Sequence, residues 1–337
     1  MSNRTLRRAL GGAIIALGAF SHGGAVAQTA DAPLSVQFVD TFEALFGKHA
    51  GARRSGAKGI CATGHFVAGA NAASTTTAAT LQPNVRSNAV LRFSVGGGNP
   101  RAPDTTPSVR GLSLSLDGPG GTTHEFVMIN APVFGARTPE SFLNFLRVRL
   151  PDPTTRQMNA QAVAAANAAN PDWAPQLAFL RDTPPPASYA TERYFGVNSF
   201  VFTNARQEAV HARWTFEPVA GRVGLTAEER QTRGADFLAD ELRGRVARGP
   251  AEWRVLLQFP NAGDVLTDAT MAWPADRRTM EVGRLTVTAV QPAGERGACD
   301  AQVFNPLLLP AGIDASEDPI LAIRPEVYAV SLSRRSE

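Results

Sequence analysis

Cysteine is scarce in this 337-residue chain: there are two, Cys61 and Cys299, and no Cys/His cluster stands at metal-ligand spacing. A zinc or iron–sulfur site held by several thiolates is excluded on that count. Two cysteines allow one disulfide, but sequence alone does not bring them within reach of each other. A bridge and two buried free thiols stay open as equal alternatives. No apolar run is long enough to span a bilayer, and Ala9 to Phe20 is too short to do so. Lysine is rare beside arginine, and the basic residues are scattered. The net charge of +3 describes no nucleic-acid surface, because no Lys/Arg run interleaves with aromatics. No Gly-rich fingerprint follows a strand, so no dinucleotide such as NADPH is implied. There are no internal repeats, and the one low-complexity block, Ala73 to Thr80, reads as a loop.

What is present is an ordinary globular composition. With 44% hydrophobic and 19% charged residues, the chain supports a sizeable core. Met1 to Ala27 reads as a cleaved signal peptide. Arg4, Arg7 and Arg8 form its charged start, Ala9 to Phe20 its apolar run, and Ala25-Val26-Ala27 its cleavage site. The expected address is therefore periplasmic or secreted, where a disulfide is permissible. The Arg7-Arg8 pair points only weakly to twin-arginine export. Residues 28–337 are expected to form a single domain.

Along that domain the periodicity changes repeatedly. Val36, Val39, Phe42, Leu45 and Phe46 lie on one helical face, with Ser35 as N-cap and Gly47 as stop. Strand patterns follow at Gly59 to Phe66, Ala89 to Val95, Arg110 to Leu116 and Phe126 to Ile129. Thr138-Pro139 opens a helix in the favoured cap-then-proline order, with Phe142, Phe145 and Leu146 on its apolar face. An Ala-rich helix from Gln157 to Asn170 stops at Pro171, and Pro184 to Pro186 link onward. Strands return at Ser199 to Thr203, Ala209 to Phe216, Trp253 to Phe259 and Arg284 to Val290, with an amphipathic helix from Gly234 to Ala247 among them. A Pro-rich run from Pro306 to Pro319 leads to a terminal helix. Many strands with few helices between them predict an α+β fold: an antiparallel barrel with helices outside.

The terminal helix carries Arg324-Pro325-Glu326-Val327-Tyr328, and Arg335 follows. On a helix, Arg324, Tyr328 and Arg335 fall on one face. Positive charge near a phenol favours its anionic form, and tyrosine is an axial haem ligand in catalases. Other segments extend the pattern: Phe46-Gly47-Lys48-His49, Arg53 to Gly59, Leu91-Arg92-Phe93-Ser94, Arg110-Gly111, Ile129 to Phe134, Tyr194-Phe195-Gly196, Trp273-Pro274, Glu281 to Leu285, and Asp318 six residues before Arg324. Their joint order and spacing resemble the catalase superfamily, most closely its small exported catalase-related peroxidases. The resemblance implies a catalase-like barrel without the C-terminal flavodoxin-like domain of large catalases. It implies haem b, with Tyr328 as axial ligand of the iron and Arg324 holding it as the phenolate. Arg53, Arg92 and Arg335 would pair with the haem propionates, and Phe142 would stack on the haem face, a role that an ordinary core position also satisfies.

The departure from the pattern lies on the distal side, where the family's histidine falls on Gly56. That histidine moves a proton between the two peroxide oxygens, and glycine cannot. A positioned general acid/base is worth roughly two to four powers of ten in rate. Of the other histidines, His22 lies in the signal peptide, His65 nine residues on, His124 in a turn and His211 on a distant strand. His49 is the one stand-in left. Ser94, which would hydrogen-bond the distal histidine, loses that partner, and Ser55 beside the vacancy is a weak hydroxyl donor. Asn130 is the second candidate catalytic residue, but the family uses the position taken here by Ile129. A one-residue shift on a strand turns the side chain to the other face. The leading expectation is a haem-dependent peroxidase acting on organic hydroperoxides or hydrogen peroxide, with impaired catalatic activity and an unknown electron donor. The alternatives are a non-catalytic haem carrier or sensor and a hydroperoxide-rearranging haem enzyme. A homodimer stays open.

Overall fold

A computed structural model describes residues 32–336 of the chain; the signal-peptide reading of Met1 to Ala27 lies outside them. Ten strands form the sheet: β1 (Gly59–Ala68), β2 (Arg86–Val95), β3 (Arg110–Asp117), β4 (Thr123–Ile129), β5 (Tyr194–Phe195), β6 (Phe200–Thr203), β7 (Ala209–Pro218), β8 (Ala251–Gln258), β9 (Thr279–Val290) and β10 (Ile313–Ala315). Neighbours run β7-β5-β4-β3-β2-β1-β9-β8, and β8 pairs again with β7. Eight antiparallel strands thus close into a barrel. β6 pairs with the first half of β7, and β10 pairs with β6.

The alternation in sequence sets which side chains fill the barrel. Ala89, Leu91 and Phe93 of β2, Leu112, Leu114 and Leu116 of β3, and Phe126 and Met128 of β4 all point inward and are buried. Aromatics complete the interior. Trp214 meets Phe126 edge-on at 5.0 Å and Phe202 at 5.3 Å. The polar tips of the buried rings are satisfied: Trp253 Nε1 donates to the Glu192 carbonyl at 3.0 Å and the Tyr194 hydroxyl to the Tyr189 carbonyl at 3.1 Å. Closure between β1 and β9 needs a bulge at Thr63/Gly64. Gly64 makes it possible, since a Cβ there would lie 2.0 Å from the Thr286 carbonyl oxygen.

His124 also points inward and is fully buried, with Nδ1 3.0 Å from Thr80 Oγ1 and its ring 4.1 Å from Phe126. Burial pushes the imidazole down to about 3, so it stays neutral inside the barrel.

Among the described residues, seven α-helices lie outside: α1 (Leu34–Phe46), α2 (Pro139–Arg147), α3 (Ala160–Ala169), α4 (Ala174–Asp182), α5 (Ala227–Thr232), α6 (Phe237–Arg248) and α7 (Pro319–Ser333). The cap expected at Ser35 is displaced, because α1 begins after Pro33 and Ser35 is buried within its first turn. Gly47 ends the helix as expected, at φ +85°. α2 starts as read, with Thr138 Oγ1 accepting the Ser141 N–H at 3.2 Å ahead of Pro139. α1, α2 and α7 meet over one apolar cluster: Phe38, Phe42, Leu143 and Leu146 are buried, and Phe142, Ile323 and Val327 pack against them. Each such buried side chain contributes roughly 1.5–3 kcal/mol.

An ion network ties α1 to the far end of α7. Arg54 is nearly fully buried and donates through Nε to Glu43 at 2.6 Å. The second Glu43 oxygen takes Arg334 at 3.1 Å and Lys48 at 3.4 Å. Burial alone would raise the Glu43 carboxyl, but the Arg54 hydrogen bond and the charges of Arg54, Lys48 and Arg334 outweigh it and hold it below its ordinary value.

Two measurements test this description. Above pH ~6.5 His124 is neutral in the folded and unfolded chains. Below that the unfolded chain binds a proton that the folded chain refuses, and stability falls by up to ~1.4 kcal/mol per pH unit until about pH 3. Urea midpoints from pH 7 to pH 4 show this slope, and His124→Phe flattens it. Glu43→Ala strands the buried Arg54 guanidinium and costs about 3–5 kcal/mol of stability near neutral pH, read from the same midpoints.

Candidate active site

α7 is fixed at its start by Asp318, whose Oδ1 accepts the Ile320 N–H at 2.9 Å, with Pro319 in the first turn. One turn apart on this helix, Arg324 Nε donates to the Tyr328 hydroxyl at 2.9 Å. The same guanidinium reaches Asn198 Oδ1 at 3.1 Å and the Val127 carbonyl, on β4, at 3.0 Å. Asn198 Nδ2 in turn donates to Asp318 Oδ2 at 2.8 Å. A continuous relay Asp318–Asn198–Arg324–Tyr328 results. Burial pushes the Asp318 carboxyl up, and the hydrogen bonds from Asn198, Ile320 and Leu321 with the charge of Arg213 only partly offset this. A guanidinium aimed at a phenolic oxygen stabilises negative charge there. Sequence reading missed Asn198, although it stands two residues beyond the Tyr194-Phe195-Gly196 segment.

The chain has three tyrosines. Tyr189 and Tyr194 are buried inside the barrel, where burial pushes both phenols up. Tyr328 alone stands outside the barrel, half-buried on α7, and is the one phenol placed to reach a ligand on the outer face.

Three arginines from distant parts of the sequence converge on one cavity of about 300 Å³: Arg53, Arg92 and Arg335, joined by Arg296 and Asp300. Arg53 is brought to Arg335 by its own loop. The Gly51 N–H donates to the Arg335 carbonyl at 2.8 Å, and Arg54 donates to the Arg334 carbonyl, so the loop caps the end of α7. Arg335 lies in the 3-10 turn Arg334–Ser336 that follows the helix. There it meets the other two arginines. Arg92 projects from the outer face of β2 and donates to the carbonyls of Gly56 at 2.8 Å and Ala57 at 3.1 Å. Arg53 donates to the carbonyls of Gln302 and Cys299, both at 2.9 Å. Burial, with repulsion from Arg92 and Arg335, lowers Arg53 to about 9; burial lowers Arg92 to about 10. Arg335 is lowered too, by burial and by Arg54, and its Nε is buried without a hydrogen-bond partner. The carboxylate facing these three guanidinium groups is that of Asp300 alone among the described residues. Such a cluster is short of negative charge, and forked guanidinium groups grip carboxylates. Two propionates would supply what it lacks, so the residues present fit a haem.

On the barrel wall between these groups, the strand register lines up Gly59, Ser94, Gly111, Ile129 and Phe195 in one outward-facing row. Gly111 leaves room for Ser94, whose Oγ would lie 2.5 Å from a Cβ there. Gly56 faces Ser94 as well: a Cβ at Gly56 would sit 3.3 Å from Ser94 Oγ and 3.8 Å from an Arg92 nitrogen. Gly56 has φ +60°, a conformation unfavourable to L side chains.

Asn130 does not join this wall. The Gly111–Ile129 pair is in register, so no displacement brings Asn130 outward. It is buried, its Oδ1 accepting the Arg110 N–H at 2.7 Å and its Nδ2 donating to Glu192 at 3.0 Å. Ile129 takes the outward position, and the expected distal role of Asn130 is corrected on that ground. No histidine replaces the missing one among the bonds of the described residues. His49 Nε2 turns to the Phe46 carbonyl at 2.9 Å, His124 lies inside the barrel, and His65 sits at the far end of β1 opposite Asn88 and Thr286. Phe142 packs against Phe134 at 4.8 Å, Phe38 at 5.8 Å and Phe145 at 6.0 Å, next to Val327 of α7.

Cys61 and Cys299, left open by sequence, are bridged.

The Catalase family model matches residues 33–336. A "Catalase-related peroxidase" of Synechococcus elongatus is 39% identical over 301 residues, covering 89% of this chain and 88% of that protein. A protein of the same name from Mycolicibacterium paratuberculosis is 32% identical, covering 89% and 94%. The "Catalase" of Schizosaccharomyces pombe is 27% identical, and the match spans 49% of its length. A solved bacterial catalase shares the fold with a TM-score of 0.77 at 22% identity, covering 98% of this chain and 68% of that one. With the barrel, the Arg324–Tyr328 pair and this coverage all in agreement, the chain belongs to the catalase family.

Proposed function

We propose that this chain is an exported haem peroxidase in which Tyr328 is the axial ligand of the iron of haem b. As a catalase-family chain with relatives named catalase-related peroxidase, it is an oxidoreductase acting on peroxide. The single observation that carries the finer reading is the placement of Tyr328. It is backed by Arg324 on α7, above the barrel face whose rim holds Arg53, Arg92 and Arg335.

When bound, haem supplies the redox chemistry that cleaves the peroxide bond. The chain's residues divide the remaining work. Arg324 directs a charged donor at the Tyr328 oxygen and is itself held by Asn198, which Asp318 holds in turn, so its position resists change during turnover. Arg53, Arg92 and Arg335 would hold the propionates of the haem ring. Phe142 offers an aromatic surface to it. On the opposite side Ser94 provides a hydroxyl, and Gly56 provides space without a base. Proton transfer between the peroxide oxygens then relies on solvent or on the substrate, so hydrogen peroxide turnover is slow by about 10²–10⁴-fold against an enzyme with the histidine. The same space admits organic hydroperoxides. A haem carrier with negligible peroxide chemistry is the second reading, favoured by the one observation that none of the described residues brings an imidazole to Ser94.

Two experiments separate these readings. Tyr328→Phe shifts the ferric Soret and charge-transfer bands of the haem-loaded chain and leaves the arginine rim intact; an unchanged spectrum removes Tyr328 as ligand. Gly56→His raises hydrogen peroxide turnover by about tenfold or more, at a stability cost of roughly 1–2 kcal/mol for the left-handed φ. A haem-loaded variant that stays inert shows that the missing base is not what limits the protein.

A further inference from the structure

We propose that the Cys61–Cys299 disulfide is a positioning device for the carboxylate-gripping arginines. It holds the loop that anchors Arg53 against β1, where Cys61 stands opposite Arg92 of the neighbouring β2. The inference rests on the haem reading and adds to it a part of the chain that the relay and the barrel wall do not use.

The bridge lies between the arginines. Cys61 is on the outer face of β1, directly opposite Arg92 in the β1–β2 register. Cys299 lies in the long connection from β9 to β10. Its carbonyl and that of Gln302 accept both terminal nitrogens of Arg53, each at 2.9 Å. The carbonyl of Asp300, between them, accepts Arg335 at 3.3 Å. Arg296, Asp300 and Ala301 of the same loop line the cavity. Thus one short segment, covalently pinned at Cys299, presents three carbonyl dipoles to two of the three guanidinium groups. Arg92, the third, stands one strand away from the other end of the pin.

This matters because the three cations repel one another. Arg53 feels Arg92 and Arg335 as like charges, and the one carboxylate among the described residues that opposes them is that of Asp300. Without carbonyl acceptors in place, Arg53 gains more from turning to water than from staying at the rim. The other ties on this segment lie at its two ends. Gln291 bonds the Cys61 backbone at 2.9 and 3.1 Å, and the Asn305 N–H bonds Glu125 at 2.6 Å beside the buried Phe304. Between those ends the disulfide is the one covalent link to the barrel. Its loss frees Arg53 and Asp300 together while the barrel, α7 and the Arg324–Tyr328 pair stay in place.

The consequence is specific for the acid groups of the ligand. The test titrates the purified full chain and its Cys61→Ser/Cys299→Ser variant with haemin and with haemin dimethyl ester, whose propionates are masked. Soret absorbance reports binding, and near-UV circular dichroism reports the fold. The expected result is that the variant loses about tenfold or more in affinity for haemin and less than about twofold for the diester. Arg53→Gln costs a similar factor in the wild type and little more in the disulfide-free variant. Equal losses for both ligands, or no loss for either, overturn the proposal. A wild type that binds neither ligand sinks the haem reading and this inference with it. Should the double variant not fold, the native chain is treated instead with a dithiol, which reduces Cys61–Cys299 to two thiols and is itself oxidised to a cyclic disulfide. The same ligand-selective loss is expected there, and its absence counts against the proposal equally.

Discussion

One guanidinium decides how the terminal helix lies on the barrel. Arg324 donates to a side chain of its own helix, to Asn198 beyond β5, and to a backbone carbonyl of β4. Charged hydrogen bonds are worth roughly 1.5–3 kcal/mol each, well above neutral ones. Three such bonds from one rigid fork leave little freedom in the helix's position. Asp318 reinforces this at two levels: one carboxylate oxygen caps the helix and the other holds Asn198. The same residue therefore sets where α7 begins and where Arg324 points. Tyr328 inherits its position from both.

The opposite end of α7 is fixed by a different device. The carbonyls of Arg334 and Arg335, in the turn that follows it, are taken by Arg54 and Gly51, and Arg54 is neutralised by Glu43 of α1. This is how an arginine near residue 53 and another near residue 335 come to line one cavity. Arginine suits the task better than lysine. A planar fork can satisfy backbone carbonyls with some of its donors and still present others to a ligand, and it remains charged when burial and like charges lower its affinity for protons.

Much of this was legible in the sequence, and the limits have physical causes. The alternation of Leu112, Leu114 and Leu116 gave a strand whose inward face is the one observed. The four-residue spacing of Arg324 and Tyr328 gave a contact that exists. Parity on β4 was read correctly at Ile129 and Asn130, and the structure decides between the alternatives through continuous register with Gly111. Ser35 misled because its side chain suits an N-cap, while Pro33 already sets the backbone angles that start α1. Phe38 was missed on that helix because its buried face is set by α2 and α7 together, which a single-helix pattern does not register. The short helices α4 and α5 have no full apolar stripe to reveal them. Asn198, Asp300 and the carbonyl of Gln302 act through tertiary neighbours far away in the chain. No local pattern marks such positions.

The closed ring of eight strands has a consequence for how the molecule behaves in a crowd of its own copies. Strands β1, β2, β3 and β9 are paired on both sides around the ring, and β6 is covered in turn by β10. β4 meets β5 at Ile129 alone, and the rest of that edge is met by the Leu308 carbonyl, which accepts the Glu125 N–H, and by Arg324, which donates to the Val127 carbonyl. The strand order ends at β10, a segment of three residues with Asp314 at its centre. A margin so short and so charged offers poor footing for stacking one sheet against another, the usual start of fibre growth. A concentrated solution of the folded chain should stay clear of that fate without any accessory protector.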